Sequence, residues 1–366
     1  MKNNMNVRYF LYHLKSTWLR MAIIVFICVI IAGTTAHSTL SQYEYWLDKN
    51  VNYPEANLSL QLTLNLGIFA AMSVILNTIL PAIELSIFNN RKYLDSGFSF
   101  PISRTAIVTT HLLTGFINFI VPFVASYISY TLMLLPVLKY FDLKYIWEFF
   151  FLSILWAVFF YLFNAFFFSM CNSTADGVIT SLSWQFILCP LLLVITDLLD
   201  LTNNGDLSLF GIVWYPYADI CQYCTSMAVK RTDDPDLLQG INRYISKNIS
   251  ENMEIELNSY LTCYFLIVTA LAVVLGIATV YFFNRRRAES AGEISSSLVS
   301  YKVLIPLSVF MLLYIGSESS MLVFGLIALI FSTIAYIIYR RTVRLKVFDT
   351  IVIGLCFILF MIGLLR

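Results

Sequence analysis

The sequence predicts an all-α, polytopic integral membrane protein that crosses the bilayer about nine times, and three observations carry that expectation. Of 366 residues, 59% are hydrophobic and only 12% are charged, against about 25% charged in a soluble domain. Apolar runs recur along the chain at lengths suited to a helix across the ~30 Å hydrocarbon core, roughly 17 to 25 residues. Lys and Arg collect on alternate connections between those runs, as the positive-inside tendency requires.

The apolar runs lie at residues 21–36, 60–88, 106–135, 147–170, 178–199 and 260–283. Three more follow at 303–315, 321–339 and 347–365. The first of these is short and bounded by Lys302 and Gly316, so it reads either as a full span or as a re-entrant segment. Charge decides between them. With nine spans and an inner N-terminus, fifteen of the twenty-three Lys and Arg residues face inward, among them Arg91, Lys92, Arg104, Arg285, Arg286, Arg287 and the cluster from Arg340 to Lys346. A re-entrant 303–315 would place that last cluster outside. Nine spans with an outer C-terminus are therefore expected. Trp18, Trp46, Trp147, Trp214 and Tyr339 near the proposed boundaries agree with interfacial belts.

Residues 1–20 carry Lys2, Arg8, Lys15 and Arg20 ahead of the first run, too long a stretch for an ordinary signal peptide, and are read as retained. Val7, Phe10, Leu11, Leu14 and Trp18 recur there at helical spacing. That pattern favours a cytoplasmic amphipathic helix along the inner leaflet that bends into the first span, over a plain extension of the span. Residues 21–283 then form a six-span transmembrane domain with a cytoplasmic loop at 89–104. An outer insertion at 200–258 opens on the turn-rich Asn203-Asn204-Gly205-Asp206 and reads as helical, with a start signal at Asp234-Pro235-Asp236. A cytoplasmic linker at 284–302 leads to three additional spans at 303–366.

Several chemistries are excluded or lack support. A net charge of +1 offers nothing to a nucleic acid. Cys221 and Cys224 form a lone C-x-x-C, and with only three histidines a tetrahedral zinc site lacks ligands. No phosphate loop, zinc-protease helix or nucleophile elbow occurs. His13, His37 and His111 lie scattered near span ends and read as solvated or interfacial. No catalytic, cofactor-binding or metal-ligating residue is expected. Asp176, Asp197 and Asp200 fall at helix ends and read as hydrated. Glu84 lies one turn before its span ends, either snorkelling to inner headgroups or serving as a fixed partner for Arg91 or another cytoplasmic cation. Asn65, Asn77, Asn118 and Asn164 suit interhelical hydrogen bonds.

The loop at 89–104 contains Arg91-Lys92-Tyr93-Leu94 and then Phe98, Phe100, Pro101, Ile102, Ser103 and Arg104. It resembles the membrane subunits of type-2 ABC exporters, in which a basic-aromatic segment leads to a Leu-Pro-Ile-Ser-Arg-like element before the third span. Phe100 stands here for the leucine. Arg286-Arg287-Ala288-Glu289-Ser290-Ala291-Gly292 is similar to an Arg-x-x-Glu-x-Ala-Gly signature of a Gram-positive branch of these permeases, encoded with acetoin-utilisation and antimicrobial-peptide-resistance operons.

The resemblance implies a type-2 ABC exporter-like six-helix domain plus three C-terminal spans, acting as the permease subunit in a bacterial cell membrane. Its coupling loop would dock on a separate ABC ATPase through Arg91, Lys92, Tyr93, Leu94, Phe98, Phe100, Pro101 and Arg104, with Glu84, Arg286 and Glu289 as inner-interface support. ATP and Mg would be held by that partner and none by this chain. A second permease subunit, identical or homologous, would complete the route within membrane lipid. Aromatic anchors with a charged rim suit such docking. The rival expectations are a non-transporting scaffold or sensor that captures a ligand through its outer segment, and an ion-coupled carrier.

Overall fold

The computed structural model describes residues 2–49, 54–90, 102–138, 143–198, 251–285, 293, 298–319, 321–340 and 346–365. Among them the regular structure is entirely helical. Among the described residues, nine α-helices follow the order of the nine apolar segments: α1 (Lys2–Asp48), α2 (Pro54–Ser86), α3 (Arg104–Leu138), α4 (Leu143–Ser169), α5 (Thr174–Leu198), α6 (Glu251–Arg285), α7 (Val303–Ser319), α8 (Met321–Arg340) and α9 (Val347–Leu365). Segments of α1, α2, α3, α4 and α6 are long and apolar enough to cross a membrane, and shorter apolar stretches lie in α7, α8 and α9. The chain is thus consistent with a membrane-embedded helical protein.

Local chemistry explains several helix starts. Pro54 opens α2, where a missing N–H costs nothing. Ser103 caps α3, its Oγ accepting from the Ala106 N–H at 3.3 Å, and Ser173 does the same for the Asp176 N–H at 3.1 Å at the start of α5. Residues 2–48 form one helix of 47 residues, about 70 Å long at 1.5 Å per residue. No break separates residues 2–20 from the apolar run, because neither Pro nor Gly occurs before Gly33.

The chain divides into two compact units. The first takes in α1, nearly all of α2, α3, most of α4 and α6. In it α1 packs along α3, with Cys28, Ala32, Ala36 and Thr39 buried on one stripe of α1. Small side chains let helices approach closely where lipid supplies no hydrophobic drive. Phe69 of α2 packs among Phe123, Tyr127 and Tyr130 of α3, at ring separations of 6.1, 5.3 and 5.3 Å. Phe150 of α4 stands 4.8 Å from Tyr127. The second unit contains α5, a turn at Leu298–Lys302, and α7, α8 and α9. Tyr301, Ile305, Tyr336 and Tyr339 form one buried cluster there, and Val309, Ala328 and Cys356 form another.

Candidate functional site

The most concentrated polar chemistry among the described side chains lies inside the first unit, around Glu84 in the closing turn of α2. Glu84 is only 3% exposed. Its two oxygens divide their partners. Oε1 accepts a hydrogen bond from the Arg20 guanidinium and faces Asn118 Nδ2 at 3.5 Å. Oε2 receives His13 Nε2 at 3.0 Å and His111 Nδ1 at 3.3 Å. The partners come from α1 (His13, Arg20) and α3 (His111, Asn118), so one carboxylate joins three helices.

The neighbours fix this arrangement. The Tyr9 hydroxyl lies 3.4 Å from His111 Nε2, so when Nδ1–H donates to Glu84, Nε2 is left to accept from Tyr9. The His13 and His111 rings touch, with centroids 4.1 Å apart. Tyr161 of α4 donates to the Leu112 carbonyl at 2.9 Å. Gly115 makes the convergence possible, because a Cβ there would sit 2.9 Å from Glu84 Cγ and closer still to the Tyr161 hydroxyl. Any larger residue would push the α2 carboxylate and the α4 phenol away from α3.

Helix geometry explains why so many donors gather here. The closing turn of a helix carries partial negative charge and unsatisfied carbonyls, so a buried carboxylate there is doubly disfavoured. A guanidinium and two imidazoles offset both effects. His13, Glu84 and His111 also each present one ligand atom, all within 4.8 Å of one another. Chemically the cluster can hold charge, lock three helices together, or bind a cation.

Sequence reasoning placed the histidines at span ends as solvated groups and so missed the cluster. His111 is buried, and the His13 side chain is only 17% exposed. The usable signal was an offset: His13 and Arg20 share a face at i, i+7, as do His111 and Asn118. Glu84 is not snorkelling; its cation is Arg20 of the chain's own first helix. Asn164 Nδ2 donates to the Phe160 carbonyl of its own helix at 3.0 Å. Asp176 is buried in the second unit, accepting from the Tyr301 hydroxyl at 2.8 Å, where hydration was expected. Of the loop at 89–104, Arg104 is the exposed first residue of α3. Arg91, Lys92, Tyr93, Leu94, Phe98, Phe100, Pro101, Arg286 and Glu289 lie outside the described residues, as does 200–250 of the outer insertion.

Comparison with family models, characterised proteins and solved structures finds no match to this chain. Fold and site together define a helical protein fit for a membrane, with a carboxylate–imidazole–guanidinium node buried among its first three helices.

Proposed function

We propose that this chain is the membrane-spanning subunit of an ATP-driven exporter in a cell membrane, with its N-terminus cytoplasmic, its C-terminus outside, and its energy supplied by a separate ABC ATPase. The chain itself hydrolyses nothing, and a second permease subunit completes the route. One observation carries the reading beyond the motifs: residues 89–104 connect α2 to α3, and both helices are tied through Glu84 and His111 to Arg20 of α1. A displacement of that connection would move three helices together. Such rigid transmission is what a coupling loop needs. A polar stripe on α2 adds support, since Asn77 and Ser73, two and three turns before Glu84, are fully buried on the face that also carries Phe69 against α3.

Pull-down of tagged full-length protein from its own cells should recover an ABC ATPase. Tyr93→Asp or Leu94→Asp should remove the ATPase from the pull-down while leaving the amount of inserted protein unchanged. Recovery of no ATPase by the unaltered chain, or undiminished recovery by both variants, would overturn the reading in favour of a scaffold or sensor.

A further inference from the structure

We propose that Glu84 Oε2, His13 Nε2 and His111 Nδ1 form a binding site for a divalent first-row transition metal ion of the zinc class. The inference does not rest on a transport role. It starts from the division of labour on the carboxylate: Arg20 and Asn118 take Oε1, whereas both imidazole nitrogens converge on Oε2. Tetrahedral zinc with N and O ligands at about 2.0–2.1 Å holds its donors roughly 3.3 Å apart. The two imidazole nitrogens stand 3.0 and 3.3 Å from Oε2.

The outer partners are those that a metal centre requires. A ligating histidine nearly always gives its second nitrogen to a polar group, which fixes the ring. His111 Nε2 has the Tyr9 hydroxyl at 3.4 Å. Arg20 and Asn118 orient the carboxylate from its far oxygen. Thr114 and Asn118, three and seven residues beyond His111 on the same face of α3, are fully buried. Asn118 Oδ1, on the amide whose Nδ2 faces Glu84 Oε1, finds no hydrogen-bond partner among the described residues. A buried acceptor of that kind suits the water that fills the fourth position of a three-ligand zinc site. Two imidazoles with one carboxylate select zinc, cobalt or iron(II), against the all-oxygen shells of magnesium and calcium.

The test uses the full-length protein, purified in detergent, in a Cys221→Ser/Cys224→Ser background that removes the thiol pair as a rival ligand set. After chelation and dialysis against Zn2+, elemental analysis should find one zinc per chain, undisturbed by excess Mg2+. His13→Ala and His111→Ala should each weaken binding more than about 100-fold, beyond the 10- to 100-fold typical of losing a supporting partner. Tyr9→Phe should fall within that smaller range, and His37→Ala, at an exposed position elsewhere on α1, should bind as the parent does. His13 is partly exposed, so His13→Ala keeps the test decisive where His111→Ala fails to fold. Absence of stoichiometric zinc in the parent, or zinc retained equally by His13→Ala, overturns the proposal. Either result leaves ATPase recovery untouched, so the two readings fail separately.

Discussion

Each unit buries carboxylates, and the two satisfy them differently. In the first, Glu84 closes α2 and draws Arg20, His13 and His111 from two other helices. In the second, Asp176 and Asp349 lie in the opening turns of α5 and α9, where the helix dipole already favours negative charge. Neutral donors stand beside them: the Tyr301 hydroxyl for Asp176 at 2.8 Å, and the Lys346 backbone N–H for Asp349 at 3.0 Å, a capping-box return bond. Position along the helix, as well as burial, sets how much support a buried acid draws from its donors. A carboxylate at a helix start has the helix dipole in its favour, and one at a helix end has it against it.

The sharpest way to break this contrast is Arg20→Met, which strands Glu84 at the unfavourable end of α2. Removing one partner of a buried ion pair costs about 3–5 kcal/mol, and thermal unfolding in detergent should show it. Converting the acid as well, in Arg20→Met/Glu84→Met, should recover most of that loss, because apolar replacement of a whole buried pair is often neutral. No recovery would mean that the node matters for packing and not for charge. Gly115→Leu comes next, at about 1–3 kcal/mol for overpacking, and should free the Tyr161 hydroxyl from the Leu112 carbonyl, detectable by ultraviolet resonance of the tyrosine. In the second unit, Tyr301→Phe removes a neutral donor and should cost about 1–2 kcal/mol. The smallest effect is expected of Asp349→Asn, roughly 0.5 kcal/mol, since the amide oxygen can still accept from Lys346 N–H. If Asp349→Asn matched Arg20→Met by the same melting measurement, the proposed difference between helix ends would be wrong.

Much of the helical layout was legible because it is local. Apolar runs of sufficient length, such as those at 106–135, 147–170, 321–339 and 347–365, place helices within a few residues of their observed bounds. Residues 2–48 form one continuous helix where a bend into the first span was expected, for an equally local reason, the absence of any helix breaker before Gly33. Asp176 was misread because its address at a helix end says nothing of the phenol supplied by Tyr301, 125 residues away.

By itself, then, the sequence determined a chain of apolar helices and the face each polar residue occupies, since periodicity and caps act within a few residues. Tertiary structure alone decided that Glu84 would meet Arg20, His13 and His111, at separations of 64, 71 and 27 residues. The physical reason is that helical periodicity aims a side chain outward without specifying what stands opposite. Close approach such as that at Gly115, set by helix packing, turns four residues far apart in the chain into one site.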